Sequence, residues 1–114
     1  MSEYVTVNIE QGMPYADQAI KRLTFHIHLN RRQNGKAIKV IHGFGSSGTG
    51  GVIRVRTRAY LEALRNKGEI SDFICGEQFS IFDAATRKAM DKCPDLREDR
   101  DLDRHNNGVT IIVL

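Results

Sequence analysis

The chain has 114 residues, 40% of them apolar and 27% charged, which suits one domain with one core and excludes a disordered chain. No run approaches the ~20 apolar residues of a membrane helix, and Met1-Ser2-Glu3-Tyr4 lacks the basic head and apolar stretch of a secretory leader. The formal charge of +3 conceals a division: residues 1–68 carry 11 Lys and Arg against 4 Asp and Glu, whereas residues 69–114 carry 6 against 10.

Val5-Thr6-Val7-Asn8-Ile9 alternates apolar and polar residues and predicts a half-buried strand. Gly12-Met13-Pro14 breaks it, and Pro14 opens a helix that the spacing of Ala16, Ile20, Leu23 and Ile27 carries to Arg32. Lys36 to Ile41 is a short strand. After a glycine-rich segment, a second helix is expected from about Val52 to Lys67, with Ile53, Thr57, Tyr60 and Leu64 facing the core. Ile70 to Ile74 is a third strand. Ser80 with Asp83 three residues on is a capping-box pattern for a helix over Ile81 to Asp91, ended by Cys93-Pro94. The charged stretch Asp95 to Arg104 reads as an exposed loop. Val109 to Leu114 is almost wholly apolar, the pattern of a central strand buried on both faces. The order β-α-β-α-β-α-β predicts a single α/β domain over residues 1–114, a mixed four-stranded sheet with helices packed on it. Right-handed crossovers give the first three strands one direction.

Chemistry concentrates in His42-Gly43-Phe44-Gly45-Ser46-Ser47-Gly48-Thr49-Gly50-Gly51, which leaves a strand and enters a helix. Glycines allow positive φ and close backbone approach, and the helix start favours an anion such as phosphate. Gly43, Gly45, Ser46, Ser47, Gly48, Thr49, Gly50 and Gly51 are therefore candidate phosphate-binding positions. Gly43, Gly45 and Gly48 spell the dinucleotide fingerprint by letter, but Glu69 precedes the third strand, where a ribose-binding acid belongs at its end. The P-loop spacing places Thr49 where a Lys is required. Arg54, Arg58 and Arg65 fall within about 40° on the helical wheel, a stripe able to follow a phosphate backbone or to remain a solvated basic face. His42, at the strand's carboxyl end, is a candidate proton-transfer or phosphate-contacting group.

His42-Gly43-Phe44-Gly45, the following Ile53-Arg54 pair and the closing Gly108-Val109-Thr110-Ile111-Ile112-Val113-Leu114 together resemble the small MutS-related, or Smr, domain family. The resemblance implies a two-layer α/β sandwich and a nucleic-acid partner, RNA or structured DNA. In that family some members nick DNA and others cleave RNA. The family's N-terminal LDxHG pattern is altered: the matching stretch is Val7-Asn8-Ile9-Glu10-Gln11-Gly12, so Asn8 stands for the acid and Glu10 is the candidate replacement carboxylate. A neutral amide is neither a base nor a carboxylate ligand. If the chain cleaves, His42 and Glu10 are the implied catalytic residues, with a divalent cation as an admissible cofactor. The alternatives are a non-catalytic binding module and a small-nucleotide binder. An inserted helix and charged loop at about 80–107 departs from the family pattern, and its acidity raises the idea of a lid.

No resident metal site is expected from spacing. His26 and His28 are two apart on a helix and point to different faces. His105 sits among acids in the charged loop, and Cys75 ends an apolar strand. Cys75 and Cys93 form no CxxC pair, which predicts a reduced, cytoplasmic protein.

Overall fold

The computed structural model describes residues 3–44 and 49–114. The elements in chain order are β1 (Tyr4–Asn8), α1 (Ala16–Arg32), β2 (Ala37–Ile41), α2 (Thr49–Asn66), β3 (Asp72–Cys75), α3 (Ala84–Lys92) and β4 (Val109–Val113). Short 3-10 turns at Gly76–Gln78 and Pro94–Glu98 flank α3. The sheet order is β1-β2-β4-β3, with β1 parallel to β2 and β4 antiparallel to both of its neighbours. Hence β1, β2 and β3 share one direction, and β4 occupies the interior with all five residues buried. Both features follow from the sequence pattern.

Alternation sorts the side chains onto two faces. On the first face, Val7, Ile9, Ile38, Val40 and Ile112 pack against Ala19, Leu23 and Ile27 of α1 and Ile53, Leu61 and Leu64 of α2. On the second, Ala37, Ile74, Ile111 and Val113 pack against Phe79, Ala89, Met90, Cys93 and Leu96. The segment from Phe79 to Leu96 therefore lays a third layer on part of the sheet, where a two-layer sandwich was expected. The physical cause is the apolar second face of β4, β3 and Ala37, which alternation leaves in need of cover.

Element ends differ from expectation for local reasons. α1 starts at Ala16 because Tyr15 is extended and acts as N-cap, its N–H donating to Gln18 Oε1 at 3.2 Å. α2 starts at Thr49 rather than Val52, so Gly50 and Gly51 lie within its first turn. Each glycine costs a helix about 1 kcal/mol, less than the packing of the four buried anchors Ile53, Thr57, Leu61 and Leu64 returns. Tyr60 packs against the core face as expected but is only half-buried, and its hydroxyl is 2.6 Å from that of Thr24.

The cap of α3 is Asp83, not Ser80. Asp83 Oδ2 accepts from the backbone N–H and the hydroxyl of Thr86, both at 2.9 Å. Ser80 Oγ takes only the Phe82 N–H at 3.2 Å. Asp83→Ala is expected to lower stability by about 1 kcal/mol, and Ser80→Ala by less. Urea denaturation of the two variants checks this; equal losses would return the capping role to Ser80.

The stretch Asp95 to Arg104 is exposed over most of its length, as expected, but it is anchored at buried points. Leu96 is fully buried, and Asp99 and Asp101 both pair with Lys39, a buried lysine in the middle of β2. The Lys39–Asp99 distance is 2.9 Å. Tyr4 donates its hydroxyl to Asp99 Oδ2 at 2.6 Å, and burial together with that carboxylate pushes its pKa well above the ordinary value. A segment anchored this way is a structural layer and not a free lid; deleting it would strand Lys39 without its partners.

Candidate nucleic-acid interface

The carboxyl ends of β1 and β2 meet at Glu10 and at His42-Gly43-Phe44. Both the His42 and Gly43 N–H groups donate to the Gly108 carbonyl, at 3.0 and 3.1 Å, which ties this corner to the turn before β4. Gly43 has φ +76°, and a side chain there would overlap the Glu10 carboxylate. The positive φ is what favours glycine at 43; a Cβ there would also oblige the flexible Glu10 carboxylate to move aside.

His42 continues the parity of Ile38 and Val40 and lies on the first face, with no solvent exposure. Its Nδ1 is 2.8 Å from the Gly43 carbonyl, which only accepts, so Nδ1 carries the proton. Nε2 then accepts from the Thr110 hydroxyl at 2.8 Å, and Thr110 Oγ1 in turn accepts from Arg58 Nε at 3.3 Å. Burial lowers the His42 pKa to about 4; the Gly43 carbonyl opposes this, and Arg58 and Arg54 add to it. The ring is neutral at pH 7, and both of its nitrogens have partners inside the protein.

Glu10 lies on the other side of Gly43. It lines a cleft of about 460 Å³ on the second face, with Thr6, Lys39, Ile41, Phe44, Arg100, Asp101 and Asn106. The structure thus places His42 and Glu10 against opposite sides of one glycine and does not bring them into a shared cleft as a proton-transfer pair. Among the described residues no group of three or more His, Cys, Asp or Glu is placed to hold a metal ion. Asp99 and Asp101 come nearest in character, and both are paired with Lys39.

The arginine stripe divides. Arg58 grips Glu77 through two hydrogen bonds of 2.9 and 2.6 Å, and this guanidinium holds the Glu77 carboxyl below its usual pKa. Arg65 pairs with Asp72 at 3.1 Å and lies 4.8 Å from the centre of the Phe73 ring. Arg54 is in no ion pair among the described residues, although it is close enough to lower the pKa of both His42 and Glu77. Of the candidate phosphate-binding positions, Gly43 stands at the corner described above, and Thr49, Gly50 and Gly51 form the first turn of α2. Gly45, Ser46, Ser47 and Gly48 lie outside the described residues.

Three participants escaped the sequence pattern: Thr110, Glu77 and Lys39. Lys39 did leave a signal, a single charge at the centre of the apolar strand Ala37–Ile41, which demands an acid from elsewhere in the chain. Thr110 and Glu77 left none, because only the register of β4 and the turn after β3 bring them to His42 and Arg58.

No protein-family model matches the chain, and neither a curated protein nor a solved structure matches it. The described residues form a mixed α/β fold, and no helix is long and apolar enough to cross a membrane.

Proposed function

We propose that the protein is an Smr-like nucleic-acid-binding domain that grips the phosphate backbone, of RNA or of structured DNA, at the corner formed by Gly43 and the start of α2. The observation that carries this reading is Arg54. It stands on the second turn of a helix entered through a glycine-rich segment, and unlike Arg58 and Arg65 it has no carboxylate partner among the described residues. The first turn of α2 contains no acidic residue to compete for its backbone N–H groups. Arg58, held by Glu77, shapes the corner and adds to the burial that keeps His42 neutral.

The binding reading is favoured over phosphodiester cleavage because His42 and Glu10 diverge. Hydrolysis needs a proton acceptor and a proton donor within reach of one scissile bond, and a neutral histidine enclosed by Gly43 and Thr110 offers neither at the surface.

Arg54→Ala is expected to weaken binding of a labelled stem–loop RNA about three- to tenfold. It should also reduce the slope of log affinity against log salt by about one. Fluorescence anisotropy over a salt series reads both quantities. Affinity independent of salt, or untouched by Arg54→Ala, overturns the proposal.

A further inference from the structure

The cleft on the second face is unlike the phosphate corner. Its walls carry groups that suit a planar, hydrogen-bonding ring. Phe44 is 54% exposed, and one edge of its ring rests on Gly108. A side chain at 108 would press on that ring edge, so glycine leaves it room. Glu10 accepts no hydrogen bond and joins no ion pair through its carboxylate among the described residues. Arg100 also lines the cleft and is in no ion pair among the described residues, although its charge acts on Asp101. The other acid that lines the cleft is accounted for: Asp101 pairs with Lys39 and accepts from Asn106 Nδ2 at 3.0 Å. What remains available is one aromatic face, one carboxylate and one guanidinium around about 460 Å³, room for one nucleoside but not for a duplex.

We propose that this cleft takes a single unstacked guanine of the bound strand. The ring lies on Phe44, and the base donates N1–H and N2–H to the two oxygens of Glu10. Guanine alone among the four common bases presents two adjacent donors on that edge. Adenine and cytosine set an acceptor beside their amino group, and uracil flanks its single imino donor with carbonyls. Arg100 supplies the cation that meets the sugar-phosphate as it leaves the cleft. The geometry of the corner supports the pairing of sites. Gly43-Phe44 separates the phosphate-binding corner from the cleft, so a strand crossing this edge sets a phosphate on one side and the attached base on the other. The inference rests on the nucleic-acid reading above and adds the identity of the base.

The test is a set of labelled stem–loop RNAs with a uridine loop carrying one guanosine, inosine, adenosine or cytidine, titrated by anisotropy. Inosine keeps N1–H and loses the N2 donor. Guanosine is expected to bind about tenfold more tightly than inosine, with the other bases no better than inosine. Glu10→Gln, which preserves shape, should abolish the difference between guanosine and inosine. Phe44→Ala should weaken all four substituted loops about tenfold. Circular dichroism confirms that both variants fold. Equal affinity for guanosine and inosine with salt-dependent binding retained overturns the base assignment alone. Absence of binding to every RNA overturns the nucleic-acid reading and this inference with it. A guanosine preference that survives Glu10→Gln also refutes the assignment to this cleft.

Discussion

Lys39→Met is expected to destabilise the protein by about 3–5 kcal/mol, a large share of the whole stability of a domain this size. Lys39 and Asp99 have side chains only 5% and 3% exposed. Removing the cation leaves Asp99 and Asp101 turned toward each other with no positive charge between them, and burial strips them of water. Asp99 retains only the Tyr4 hydroxyl and the Asp101 N–H as donors. The double variant Lys39→Met/Asp99→Asn should recover much of the loss, because an amide still accepts from Tyr4 and carries no charge. Urea titrations of the four proteins form a double-mutant cycle, and additive effects would refute the pairing. The pH dependence gives a second check. Burial works to raise the Asp101 pKa, but the hydrogen bonds from Asn106 and Lys39 prevail and hold it below the ordinary value. That depression stabilises the fold above the unfolded carboxyl pKa of roughly 4. The contribution is lost as pH falls through the lower folded value. The gap between wild type and Lys39→Met should therefore narrow below pH ~4.

Acid is expected to weaken the fold well before the carboxylates titrate, through His42. The folded ring titrates at about 4, against about 6.5 for a free histidine. Between those values the unfolded chain binds a proton that the folded chain refuses. Stability is thus fully present above pH ~6.5, declines as pH falls, and levels off below pH ~4 with a total loss of about 3 kcal/mol. His42→Gln should be less stable than wild type at pH 7, because a cavity and an altered hydrogen-bond set replace the ring. The variant should nevertheless show a flatter stability profile between pH 6.5 and 4. Urea midpoints across that range check it. A wild-type profile as flat as that of His42→Gln would mean that the ring takes its proton while folded, and would remove the basis for a neutral histidine at the corner.

The strand pattern carried most of the fold. Alternation in Val5–Ile9, the apolar run Val109–Val113 and helical spacing after Pro14 specify the elements, because each responds to burial on a fixed period. The third layer was less legible. Asp95–Arg104 is dense in charge, and nothing local distinguishes an acid that faces water from one that faces a buried lysine. Asp99 acquires its meaning only from Lys39, sixty residues earlier. The candidate site divides in the same way. Gly43 and Arg54 were legible as parts of a glycine loop and a helix start. The divergence of His42 and Glu10 was not, because strand parity says which face a residue takes only once the register of β1 on β2 is known. The wheel set Arg54, Arg58 and Arg65 on one stripe, yet a wheel contains no information about Glu77 and Asp72, which occupy two of the three.

The interior position of β4 sets an order of events in synthesis. Until residues 109–113 leave the ribosome, β1 and β2 have no bridge to β3, and the edges of β2 and β3 that β4 pairs with lie open. The same late segment brings Thr110 to His42 and the Gly108 carbonyl to the amides of residues 42 and 43. A nascent chain therefore holds every part of the Gly43 corner except the strand that fixes it, and the corner takes shape only in the step that closes the sheet.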